Sequence, residues 1–67
     1  MTLKEMILVA RQKIKVTHTS FTDDEYLTMK GNIIVFECGA KIFIKEWSEG
    51  KDYLLKGWSI YVDPKSN

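Results

Sequence analysis

Ten Lys/Arg against nine Asp/Glu in 67 residues leave a net charge of +1 at neutral pH, which excludes the strong basic bias of a dedicated nucleic-acid binder. An apolar share of 45% with 12% aromatic residues belongs to a globular domain and is too rich for disorder. Cys38 is the single cysteine, so no internal disulfide can form and one small core must offset the chain's conformational entropy; a reducing, cytoplasmic setting is the expectation. The longest apolar run near the start, Met6 to Ala10, is too short for a signal h-region or a membrane span.

The chain reads as one α+β domain over 1–67, with 63–67 a frayed tail. Thr2 and Glu5 have the spacing of a capping box, in which the hydroxyl accepts a backbone N–H and the carboxylate reaches back, so a helix is expected to start there. Leu3, Met6, Ile7, Ala10 and Ile14 then form one apolar stripe, with Leu8 and Val9 outside it. Around Lys13 to Val16 the pattern turns β-branched and alternating, and a strand takes over. Charge is uneven along this stretch: Lys4, Arg11, Lys13 and Lys15 face only Glu5, whereas Asp23, Asp24 and Glu25 precede Lys30.

Thr22 and Glu25 also fit a capping box, and a short helix over 23–29 competes with a strand. Gly31-Asn32 flanked by apolar alternation favours the strand, because that dipeptide is a two-residue hairpin signal. The hairpin pairs Lys30 with Ile33, Met29 with Ile34, Thr28 with Val35 and Leu27 with Phe36, so Leu27, Met29, Ile34 and Phe36 share a face. A loop over Cys38–Ala40 then pairs Phe36 with Ile42 and Val35 with Phe43, adding Ile42 and Ile44 to that face. After a turn at Glu49-Gly50, Leu55 points inward. A bulge at Lys56-Gly57 brings Trp58, Ile60 and Val62 inward, and Asp63-Pro64 ends the strand. The expected architecture is an N-terminal helix on one face of a mostly antiparallel β-meander of about four to six strands.

Chemistry is sparse. One His and one Cys supply no ligand pair for a structural zinc site, and Asp23-Asp24-Glu25 reads as a solvated turn without an EF-hand loop around it. His18 and Cys38 are read as structural residues, because neither has a partner that would activate it. The isolated glycines make no phosphate cradle. No catalytic residue, metal or cofactor is expected.

The face away from the helix is the informative part. It is expected to carry Tyr26, Ile33, Val35, Phe43, Trp47 and also Leu54, interleaved with Lys30, Lys41, Lys45 and Lys56, with Glu37 and Asp52 on the same side. Such a face is too apolar for water and marks a contact surface rich in aromatic anchors. The reading that follows is a small non-enzymatic protein-binding protein of inhibitor or adaptor type, of the kind phages and mobile elements encode. It would dock through Tyr26, Ile33, Val35, Lys41, Phe43, Lys45 and Trp47, and self-associate as a homodimer. The alternatives are a nucleic-acid module that stacks bases on the aromatics, and a closed barrel or sandwich in which residues 13–20 or the C-terminal segment cover this face.

Overall fold

The computed structural model describes residues 1–62; the expected tail and the stop at Asp63-Pro64 lie outside the described residues. Helix α1, Leu3–Ala10, begins as its capping box requires. The Thr2 hydroxyl accepts the Glu5 N–H at 3.2 Å and the Glu5 carboxylate accepts the Thr2 N–H at 2.9 Å. Met6 and Ala10 are fully buried, with Leu3, Ile7 and Val9 packed around them. Ile14 falls off the stripe because the helix has already ended: Lys13 adopts φ 68, a left-handed position that reverses the chain, and Ile14 is left exposed. Val9, expected outside the stripe, contributes to the core.

Five strands follow: β1 Val16–His18, β2 Leu27–Lys30, β3 Ile33–Phe36, β4 Lys41–Phe43 and β5 Trp58–Ile60. They form one antiparallel sheet in the order β4-β3-β2-β1-β5. The first hairpin has the expected register, from Leu27 opposite Phe36 to Lys30 opposite Ile33. Arg11 pins its turn to the end of α1, donating from Nε to the Gly31 carbonyl at 3.0 Å and from a terminal nitrogen to Asn32 Oδ1 at 2.6 Å. Residues 22–26 form a turn and not a helix, although Glu25 still reaches back to the Thr22 N–H at 3.0 Å.

In the second hairpin Ile34 faces Ile42 and Val35 faces Lys41, two residues away from the expected pairing. The turn keeps three residues but lies one position earlier than Cys38–Ala40: the Phe36 N–H reaches the Ala40 carbonyl at 2.9 Å, and Gly39 at φ 88 takes the left-handed position that such a turn requires. Because side chains alternate with period two, a slip of two residues leaves every side chain on its expected face.

Beyond Phe43 the strand was expected to continue, and it does not. Residues Ile44–Ser48 form a short helix, α2. An extended chain there would aim Glu46 inward and Trp47 outward, whereas a helical turn puts Ile44 and Trp47 on one face and turns Lys45 and Glu46 to water. A 3-10 turn, Asp52–Leu55, then buries Leu54 and exposes Leu55, the reverse of the expectation. Trp58 is buried as expected, but Ile60, on the edge strand β5, and Val62, beyond its end, are exposed.

The core consists of Met6, Ala10, Val16, Leu27, Met29, Ile34, Leu54 and Trp58 between the helices and the inner sheet face. Residues 13–20 do not cover the outer face: β1 enters the sheet plane between β2 and β5.

Two outcomes test this arrangement. Ile34→Ala removes a fully buried side chain and should cost roughly 2–5 kcal/mol in a urea titration. Val35→Thr, half-buried on the other face, should cost clearly less, and the opposite ranking would mean the faces are inverted. The hydrogen bonds from the Thr2 backbone and side chain hold the Glu5 carboxyl below its ordinary value of 4.5. A carboxyl depressed in the folded state stabilises above its unfolded value, and that stabilisation is lost as pH falls through the folded value. The difference in Tm between the parent chain and Glu5→Ala should therefore be constant above about pH 5 and narrow on acidification below 4.5.

Candidate functional site

The register that fills the core also composes the outer face. Lys30 opposite Ile33, Thr28 opposite Val35, Ile33 opposite Phe43 and Val35 opposite Lys41 all point away from the helices. Ile33 and Val35 are half-buried, while Phe43 is 55% exposed at the open edge strand. Shallow hollows of about 230 and 410 Å³ flank Phe43, the first lined by Ile33, Lys41 and Ile42, the second by Asn32, Ile44 and Lys45, with Glu46 on both. The structure thus brings Tyr26, Ile33, Val35, Lys41 and Phe43 to one face, as expected.

Two of the expected site residues are elsewhere. Trp47 lies on the inner side, its ring 5.7 Å from Phe36, 6.1 Å from Trp58 and 6.3 Å from Phe21, because α2 turns it under the sheet. Lys45 is exposed on α2 beyond the end of β4. Leu54 belongs to the core, and Asp52 stands in the 3-10 turn.

The outer face also extends farther than the sequence indicated. Thr17 pairs with Ser59, and the Tyr61 N–H donates to the Lys15 carbonyl at 2.9 Å. Tyr61 therefore reaches Tyr26, with ring centroids 4.8 Å apart, and Lys15 Nζ lies 4.6 Å from the Tyr26 ring. The signal was present: once Val16 and Trp58 are taken as core residues, alternation sends Lys15, Thr17, Ser59 and Tyr61 to the opposite side.

His18, the other candidate for chemistry, is 5% exposed. Nδ1 accepts the Ser20 N–H at 3.0 Å and lies 2.8 Å from the Ser20 hydroxyl, while Nε2 faces the Lys56 and Tyr53 carbonyls at 2.6 and 3.0 Å. A backbone N–H can only donate and a carbonyl only accept, so this arrangement assigns the neutral tautomer with the proton on Nε2. Both nitrogens are committed to holding the fold. Cys38 is exposed in the β3–β4 turn, and β2 and β3 lie between that turn and β1 in the sheet. Among the described residues, no group of three or more His, Cys, Asp or Glu side chains is placed to hold a metal ion, and no helix is long and apolar enough to cross a membrane.

Compared with protein-family models, curated proteins and solved structures, the chain matches none.

Gly57 sits against the histidine. A Cβ there would lie 2.9 Å from Thr19 Oγ1 and 3.1 Å from His18 Nε2, whereas one at Gly39 would meet nothing within 4 Å, and both residues have φ 88. Gly39→Ala should cost about 1–2 kcal/mol, the strain of a left-handed alanine. Gly57→Ala should cost more in the same thermal-denaturation series and shift the His18 ring resonances. Equal costs would show that the close approach to His18 contributes nothing.

Proposed function

We propose that this chain is a non-enzymatic protein-binding domain of the inhibitor or adaptor kind, that its docking surface is the outer face of the sheet with the open β4 edge that borders it, and that a second copy of the chain docks at that border. The observation that supports this reading is the contiguous row of Ile33, Val35 and Phe43 on the face opposite the core. An exposed aromatic beside half-buried aliphatic residues has the composition of a contact patch rather than of a wetted sheet.

Charge favours a copy of the chain as the occupant. A twofold interface uses the same patch on both partners, so the patch must complement itself. Lys30 and Lys41 stand on the same face, and Lys45 and Glu46 line the hollows beside Phe43, so a patch bearing both signs can meet its own image without like charges opposed. The net charge of +1 adds little long-range repulsion.

A nucleic-acid reading has one specific observation behind it, the Lys15–Tyr26–Tyr61 stack, since aromatics beside lysines are the elements of base stacking and phosphate contact. The aliphatic half of the face argues against it, because Ile33 and Val35 offer no π surface to a base.

Phe43→Ala should abolish association in light scattering at micromolar concentration while leaving the circular dichroism spectrum intact, because the side chain is more than half exposed; anchors of this kind carry ~2 kcal/mol or more. Trp47→Ala should instead lower thermal stability, since its ring packs among core aromatics. A parent chain that is monomeric throughout, or that associates only when nucleic acid is present and falls apart steeply with salt, would remove the proposal.

A further inference from the structure

The geometry points to a particular way for two copies to meet: edge to edge through β4, antiparallel, in a register centred on Ile42. This inference rests on the self-association proposed above and specifies its geometry.

The two edges of the sheet differ. At the β5 edge the outward groups of Trp58 are taken by Met1, whose ammonium group donates to the Trp58 carbonyl at 2.7 Å and whose carbonyl accepts the Trp58 N–H at 3.2 Å. At the β4 edge, among the described residues, no strand lies alongside. Backbone groups alternate in direction along an antiparallel strand. The Phe36 N–H bonds to the Ala40 carbonyl and the Ile44 N–H to the Asn32 carbonyl, so even-numbered residues of this segment face β3. Lys41 and Phe43 therefore direct their N–H and C=O groups away from the sheet.

Elimination decides the register. If Lys41 met its own counterpart, two like charges would oppose one another, and Phe43 would need the second copy's Gly39, which is in a turn at φ 88. If Phe43 met its own counterpart, Lys41 would need the second copy's Lys45, which is already helical. Centring on Ile42 places Lys41 of each copy opposite the second copy's Phe43, and both outward-facing residues of each copy are then hydrogen-bonded. The cross-strand pair is a lysine beside an aromatic ring, a contact the same sheet already makes where Lys15 lies over Tyr26 at 4.6 Å. On the inner side Ile42 meets the second copy's Ile42. On the outer side the rows of Ile33, Val35 and Phe43 from both copies merge into one continuous face.

Hydrogen exchange followed by NMR on the unaltered chain tests this directly. The Lys41 and Phe43 amides should exchange about tenfold or more slowly once most of the protein is associated, and regain fast exchange on dilution. Association in which those two amides exchange at the same rate at every concentration would overturn the edge register while leaving self-association standing. A chain that stays monomeric would overturn both.

Cross-linking supplies the register. In a Cys38→Ser background, Ile42→Cys should form an intermolecular disulfide with its own counterpart under a mild oxidant, because directly opposed residues of a non-hydrogen-bonded pair have Cα atoms about 4.5 Å apart, within disulfide reach. Lys41→Cys should not cross-link, and equal cross-linking by Lys41→Cys would overturn the Ile42-centred register. Both variants keep Phe43 in the contact.

Discussion

The structure depends on a buried imidazole that joins parts of the chain far apart in sequence. His18 accepts from Ser20 on one side and donates to the Tyr53 and Lys56 carbonyls on the other, and its ring packs 4.9 Å from Trp58. The Trp58 indole N–H in turn donates to the Leu54 carbonyl at 2.7 Å. These bonds fasten the segment before β5 to β1 and so bring the last described strand next to the first. Each of these carbonyls would be costly to bury without a donor, so the position favours a residue that can donate on one side and accept on the other. Gly57 is the matching constraint, since only a residue without a Cβ fits against the ring at that φ.

From that closure the division of the sheet into two faces follows. With β1 beside β2 and β5 beside β1, the inner face of all five strands lies under α1, α2 and the 3-10 turn, and its buried residues form one core. The outer face has two parts: hydroxyls and tyrosines over β5, β1 and the start of β2, then aliphatic residues and Phe43 over β3 and β4. The proposed docking surface is the β4 border of the second part, where pairing would bring Phe43 into the contact and set the outer rows of two copies side by side.

Much of this was legible because the rules involved are local. The capping box at Thr2 and Glu5, the Gly31-Asn32 hairpin and the period-two alternation of residues 27–43 each specify their structure within a few residues. Even a pairing error of two positions left the faces correct. Three features were less legible. The end of α1 depends on a left-handed lysine, which no propensity favours. The change from strand to helix after Phe43 had a signal in the spacing of Ile44 and Trp47, but it competed with a strand pattern already in progress. Alternation puts Tyr61 on the outer side, but that it meets Tyr26 depends on β5 pairing with β1, forty or more residues apart in sequence, and alternation cannot reveal which strands are neighbours.

The unequal edges bear on whether association through this sheet would end at a pair or run on into a fibre. A sheet with two free edges can add copies without limit, which is the hazard that edge strands present. Here the β5 edge carries Met1 across Trp58, while β4 offers only the outward groups of Lys41 and Phe43 before the turn on one side and α2 on the other. An antiparallel pairing about Ile42 uses the same edge on both copies, so the contact is twofold and closes on itself. Lysine at an edge ordinarily discourages pairing; opposite the second copy's Phe43 it selects one register and penalises the alternative in which two lysines meet. For a chain with so small a core, association would add stability through mass action, and the closed geometry would confine that gain to a dimer.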